Sequence, residues 1–169
     1  MTNEVIYRHV DSPVGPLLIA GNDAGLHLIE FHAPRHPMPR GDGWREGDHA
    51  VLRQVQAQLA EYFAGHRRGF DLPLSPRGTD FQRHVWWELA NIPFGGTISY
   101  AELAVRVGRP SATRAVGAAN GRNPIPIVLP CHRVIGADGS LTGFGGGLPT
   151  KQFLLQLEGA LPREVDLFA

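Results

Sequence analysis

SYAELAVRVGRPSATRAVGAANG, residues 99–121, reads as two short helices joined by a tight turn, and that reading decides the fold. Ser99 with Glu102 three residues later is a helix-start signature, and Leu103, Ala104 and Val107 then recur on one side. Gly108-Arg109-Pro110 closes that helix, and a second is expected from about Ser111 to Asn120. This is helix-turn-helix spacing, which many helical hairpins that never touch nucleic acid also show. After Arg114 the second helix carries mostly small residues: Ala115, Gly117, Ala118 and Ala119. Such a helix offers few long polar groups to major-groove base edges. Two uses stay open. An ordinary helix is about 10–12 Å across and the minor groove about 6 Å wide, so a bare helix approaches that groove more closely. The alanines could equally pack on a neighbouring helix, and the residues alone favour packing. Arg114 could enter a base stack and fill the place of an extruded nucleotide, or it could contact a phosphate or an acid.

Upstream, Thr79 and Gln82 form a capping box for a helix with Phe81, Val85 and Leu89 on one face, ended before Pro93. Residues 66–78 read as a linker. The first third shows β-rich stretches near 4–10, 15–20 and 25–31, with a turn at Gly21-Asn22-Asp23. Residues 32–47 lack periodicity and are expected to form a loop. Asp48 is expected to cap a helix marked by Val51, Leu52, Val55, Leu59, Tyr62 and Phe63, ending at Gly65. This first part contains no constellation that suggests chemistry. The division is therefore an α/β unit over 1–78, linker included, and a mostly helical unit over 79–169.

The chain has 169 residues, 43% of them hydrophobic, enough for a proper core. Formal charge is zero, yet residues 100–135 hold Arg106, Arg109, Arg114, Arg122 and Arg133 against Glu102 alone. That local excess is a weak pointer to phosphate backbones. A single cysteine excludes an internal disulfide and any multi-cysteine zinc site. The eight histidines show no ligand spacing, so no metal is expected. MTNEVIYRHV has no basic flank before an apolar run, and no stretch reaches the ~20 apolar residues of a membrane span, so a cytoplasmic protein away from membranes is expected.

Downstream, NPIPIVLP, residues 123–130, leads into that single cysteine, Cys131. Each proline fixes its own backbone and biases its neighbour toward extended geometry, so a stiff, buried strand is expected to deliver Cys131. A lone buried cysteine is usually a small hydrophobe. Here His132 and Arg133 follow at once, and such neighbours favour the nucleophilic thiolate.

NPIPIVLPCHRVIG (123–136), GFGGG (143–147) and a helix ending in Leu-Glu-Gly (157–159) resemble the 6-O-alkylguanine-DNA alkyltransferases, also called methylated-DNA–protein-cysteine methyltransferases. The resemblance is dense over about 79–159 and loose before it. It implies an α+β fold: a small N-terminal ribonuclease-H-like α/β domain of structural role, then a mostly helical, winged-helix-like helix-turn-helix domain. It implies that Cys131 takes the alkyl group in one irreversible displacement, that His132 acts as its base through a water, and that Glu158 orients His132. Tyr100 would assist the leaving purine, and Asn123 would tie the helix pair to the cysteine segment. Arg114, Tyr100, Ala115, Gly117, Ala118, Ala119 and Arg122 would face DNA. Phe144, Gly145, Gly146, Pro126 and Val134 would form the substrate pocket, with Phe144 where many relatives have tyrosine. The implied partner is double-stranded DNA containing 6-O-alkylguanine, bound by a monomer, with cooperative assembly on DNA left open and no cofactor. Three rivals are a non-catalytic alkylated-DNA-binding protein, which lacks the cysteine, a cysteine hydrolase, and a transcription regulator using the helix pair alone.

Overall fold

The computed structural model describes residues 4–34, 37, 40, 41 and 43–162. Strands β1 (Val5–Val10), β2 (Leu17–Asn22) and β3 (Gly25–Glu30) form an antiparallel meander, and β4 (Trp44–Glu46) adds to β1 in parallel, giving the order β3-β2-β1-β4. The turn between β2 and β3 is closed by Asn22, whose Oδ1 accepts from the Ala24 amide at 2.9 Å. One expectation is corrected here. The segment 32–47 is not loop throughout, because Trp44 packs on Tyr7 and the β1 edge binds the chain through Val5 N to Gly43 O and Gly47 N to Tyr7 O, both 3.0 Å. Residues 35, 36, 38, 39 and 42 of that segment, like 163–169 of the second unit, lie outside the described residues. The segment 66–78, which carries no helix or named strand, is pinned to β3: Leu26 N donates to Pro73 O and Ser75 N to Leu26 O, both at 2.8 Å. Gly25 permits that approach, since a Cβ there would stand 2.7 Å from the Pro73 carbonyl oxygen.

Helix α1 (Ala50–Phe63) lays Val51, Leu52, Val55, Leu59 and Tyr62 onto the sheet. Its cap is His49, not Asp48: His49 Nδ1 accepts from the Val51 amide at 3.0 Å, while Asp48 pairs with Arg53 at 2.5 Å. Helix α2 (Asp80–Leu89) starts on the expected reciprocal box, with Thr79 and Gln82 bonded at 2.9 and 3.1 Å. After β5 (Ile98–Ser99) come α3 (Tyr100–Arg106) and α4 (Thr113–Gly121). Ser99 accepts from the Glu102 amide, but the Glu102 side chain turns to Arg106 at 3.0 Å, so only half of that capping box forms.

A 3₁₀ turn (Cys131–Arg133) follows, then β6 (Val134–Ile135) and α5 (Leu148–Leu157). β5 and β6 pair in parallel, Ile98 with Val134 and Ser99 with Ile135. Because β5 runs straight into α3 and β6 straight out of the cysteine turn, this two-residue ladder fixes Tyr100 relative to Cys131. Both parts share one core: Ile29, Phe31 and Tyr62 belong to the same buried cluster as Trp86, Ile125 and Leu154. Among the described residues no helix is long and apolar enough to cross a membrane.

Candidate active site

Helix α4 separates its residues by helical period. Arg114, Ala115 and Ala118 are exposed, Gly117 is half-buried, and Val116, Ala119 and Asn120 face inward. Ala119 is therefore corrected as a DNA-facing residue: it is 3% exposed, and its carbonyl accepts from Trp86 Nε1 at 2.7 Å. The other small residues leave a bare outer surface. A Cβ on Gly117 would lie 3.5 Å from the Tyr100 ring, so this glycine also gives Tyr100 its room. Arg122 follows the helix and is exposed.

Cys131 is not delivered by a strand. Residues 124–129 form successive turns, with Leu129 N donating to Ile125 O at 2.9 Å and Ile127 held at φ 73°. A β-branched residue in that left-handed region costs on the order of 1–3 kcal/mol, which the surrounding packing must offset. Asn123 braces the turn from both sides: its Nδ2 donates to Leu129 O at 2.6 Å, and its Oδ1 accepts from Ile125 N at 3.0 Å. Asn120 reaches the Cys131 carbonyl at 3.4 Å. Cys131 itself is 5% exposed. Burial pushes its thiol up to about 11, opposed in part by Asn123 and by the charge of Lys151.

Behind the cysteine lies a buried charged network centred on Glu158. Its Oε2 accepts from Tyr62 OH at 2.6 Å, from His132 Nε2 at 2.8 Å and from Arg133 Nη2 at 3.0 Å, while Oε1 accepts from Arg133 Nε at 2.8 Å. Arg133 Nη1 donates to the Ile92 carbonyl at 2.7 Å. Arg133 is thus no part of a cationic surface; it neutralises a buried carboxylate. Burial alone would raise the Glu158 carboxyl, but hydrogen bonds from His132 and Arg133 and their charges outweigh it and hold it at about 2. Burial lowers the basicity of His132 despite Glu158 beside it, so the imidazole is neutral at neutral pH. With Glu158 accepting at Nε2, the proton sits there and Nδ1 keeps its lone pair. That Nδ1 is buried and has no protein partner.

Tyr100 OH donates to the Thr142 carbonyl at 3.1 Å, and buried Lys151 holds the same carbonyl at 3.0 Å and that of Val134 at 2.7 Å. Two depressions meet here. An open cleft is lined by Tyr100, Arg114, Gly117, Ala118 and Thr142. Behind it a more enclosed, mostly apolar chamber reaches Cys131 and shares Asn120, Arg122, Phe144 and Gly145 with the cleft. Pro126, Phe144 and Gly145 line the chamber as expected of pocket residues, whereas Val134 and Gly146 do not. Val134 is spent on the β5–β6 ladder, and Gly146 abuts Phe31, 2.7 Å from where its Cβ would stand.

The N-terminal part was expected to be without chemistry. It supplies Tyr62 to the charged network and Phe31 and Pro34 to the chamber wall. None of the three was singled out as a site residue, because each meets the site only through tertiary packing. Among the described residues no cluster of histidine, cysteine, aspartate or glutamate could hold a metal.

Comparison with known proteins covers nearly the whole chain. The family profile described as "6-O-methylguanine DNA methyltransferase, ribonuclease-like domain" matches residues 5–76, and its "DNA binding domain" counterpart matches 80–160. A methylated-DNA–protein-cysteine methyltransferase of Methanosarcina acetivorans is 48% identical over 91% of this chain and 98% of its own length. One of Mycobacterium tuberculosis is 48% identical over 96% and 98%. The crystal structure of Mycobacterium tuberculosis OGT in complex with DNA superposes with a TM-score of 0.85 at 46% identity, covering 97% of this chain and 99% of that one.

Proposed function

The chain belongs to the 6-O-methylguanine DNA methyltransferase family, and from that membership we infer that it repairs alkylated DNA directly, taking the alkyl group onto Cys131. The observation that carries the reading is the buried Cys131 thiol at the inner end of a cleft, followed at once by a histidine whose far nitrogen is tied to Glu158. In the displacement, Sγ bonds to the alkyl carbon as the bond from that carbon to the guanine 6-oxygen breaks. The electron pair passes to the purine, the thiol proton passes to His132 Nδ1 through a bridging water, and Tyr100 donates a proton to the purine. The imidazolium left on His132 and the phenolate left on Tyr100 are neutralised through solvent, so that in sum one proton leaves sulfur and one reaches guanine. The thioether offers no leaving route, and the protein is consumed.

A thiol pushed up to about 11 is inert at rest. That suits a nucleophile used once: it reacts only when a base and an alkylated guanine are both in place. The damaged base is also cheaper to extrude than a normal pair, so selection begins at flipping. One chain carries a complete site, which supports action as a monomer on duplex DNA. The bare outer face of α4 fits the minor groove, and binding carried by phosphates should weaken as salt rises. Duplex DNA bearing a labelled methyl on the guanine 6-oxygen should pass one label to each chain and then stop. Continuing turnover, or no label on protein, contradicts the reading.

Arg114 is exposed at the start of α4, beside Tyr100 in the cleft. If it fills the space left by the flipped nucleotide, Arg114→Ala should slow transfer from duplex DNA by about tenfold or more, since unstacking costs a few kcal/mol. The loss on free 6-O-methylguanine base should be smaller. Equal losses on both substrates in single-turnover assays would remove that role.

A further inference from the structure

We propose that the N-terminal half sets how large an alkyl group Cys131 accepts, through the ring of Phe31; this rests on the alkyl-transfer reading above. In an in-line displacement the sulfur, the transferred carbon and the guanine oxygen are collinear. Whatever is attached to that carbon must therefore project sideways, into space beside Cys131. The chamber that Cys131 opens into is that space, and Phe31 and Pro34 from the N-terminal half line it together with Asn120 at the end of α4. The wall is fixed in place. The Ile29 amide donates to the Pro124 carbonyl at 2.9 Å, which locks β3 to the segment that leads to Cys131. Phe31 lies 5.4 Å from the Phe144 ring, and Gly146 leaves no room for its retreat, since even a Cβ there would stand 2.7 Å from it. Gly145, also in the lining, faces open space, with nothing within 4 Å of where a Cβ would be. Depth on the β3 side is therefore the quantity that one ring controls. A benzyl substituent matches in shape what Phe31→Ala removes.

The test compares single-turnover transfer from duplex DNA carrying 6-O-methylguanine with that from 6-O-benzylguanine, in Phe31→Ala, Phe31→Leu and Phe31→Trp, each shown folded by circular dichroism. The benzyl-to-methyl rate ratio should rise about tenfold in Phe31→Ala, on the scale by which apolar pockets discriminate size, rise less in Phe31→Leu and fall in Phe31→Trp. Leu59→Ala, which loosens the same core away from the chamber, should keep the wild-type ratio. An unchanged ratio across the folded Phe31 variants, or an equal rise in Leu59→Ala, overturns the proposal; the Leu and Trp variants decide it if the Ala variant does not fold. Failure of the wild type to take methyl from DNA would instead overturn the function itself.

Discussion

Glu158→Gln is expected to lower the melting temperature by about 10 °C. The substitution keeps shape and removes charge, leaving Arg133, 6% exposed, without its counter-ion. Removing one partner of a buried ion pair costs about 3–5 kcal/mol, and each kcal/mol moves the midpoint of a domain this size by about 2–4 °C. The amide cannot replace what is lost. Oε2 accepts three donors, from Tyr62, His132 and Arg133, and an amide nitrogen in its place would face all three as a donor. An amide turned the other way meets the same conflict at Arg133 Nε. Acidification of the wild type should act in the same direction. The Glu158 carboxyl, held at about 2 in the fold against 4.5 unfolded, contributes stability that is present above 4.5 and lost as pH falls toward 2. His132, lowered below its usual value of 6.5, adds to the loss on the acid side because charging it in the fold is unfavourable. Thermal melts between pH 7 and pH 3 should therefore fall more steeply in the wild type than in Glu158→Gln; parallel curves would show that this carboxylate is not the titrating group.

His132→Gln is expected to slow transfer by about 10²–10⁴-fold at neutral pH, the range of a lost general base. The reason lies in the thiol. With Cys131 pushed up to about 11, only about one molecule in ten thousand carries a thiolate at pH 7 without help. A base that accepts the proton as sulfur attacks removes that handicap, and Nδ1 is the nitrogen free to do so because Glu158 takes the hydrogen on Nε2. The variant should recover with alkali, its single-turnover rate rising about tenfold per pH unit as thiolate accumulates. The wild-type rate should stay nearly level from pH 7 upward, since its imidazole is already neutral there. A variant whose rate ignores pH would exclude His132 as the proton acceptor.

Much of the site was legible because its signals are local. Cys131 and His132 are adjacent, the Thr79–Gln82 box spans three residues, and the α3–α4 pair shows its period within one stretch. For Tyr62 and Arg133 a longer-range contact decided. Glu158 and Tyr62 bond across 96 residues, and nothing in the α1 sequence marks Tyr62 as more than a core position. Arg133 looked like a surface cation until a carboxylate 25 residues later proved to enclose it. Asp48 was the better cap by type, but His49 holds the geometry. Ala119 could have been separated by pattern alone: Val116, Ala119 and Asn120 stand at helical spacing on the inner face, and Arg114, Ala115 and Ala118 on the outer one. The β5–β6 ladder, at two residues a strand, is too short to leave a periodic trace.

Among the rivals, a non-catalytic binder is disfavoured by the presence of Cys131, and a hydrolase because Cys131 and His132 are adjacent in sequence, unlike the spatially assembled dyad such enzymes use. The measurement that tests the account most directly is a peptide mass map after mixing the protein with an excess of duplex DNA carrying 6-O-methylguanine. The account expects one methyl group on the peptide that contains Cys131, in stoichiometric yield, and none on the same peptide of Cys131→Ala. A methyl on another residue, or methylguanine consumed while Cys131 stays unmodified, would contradict it.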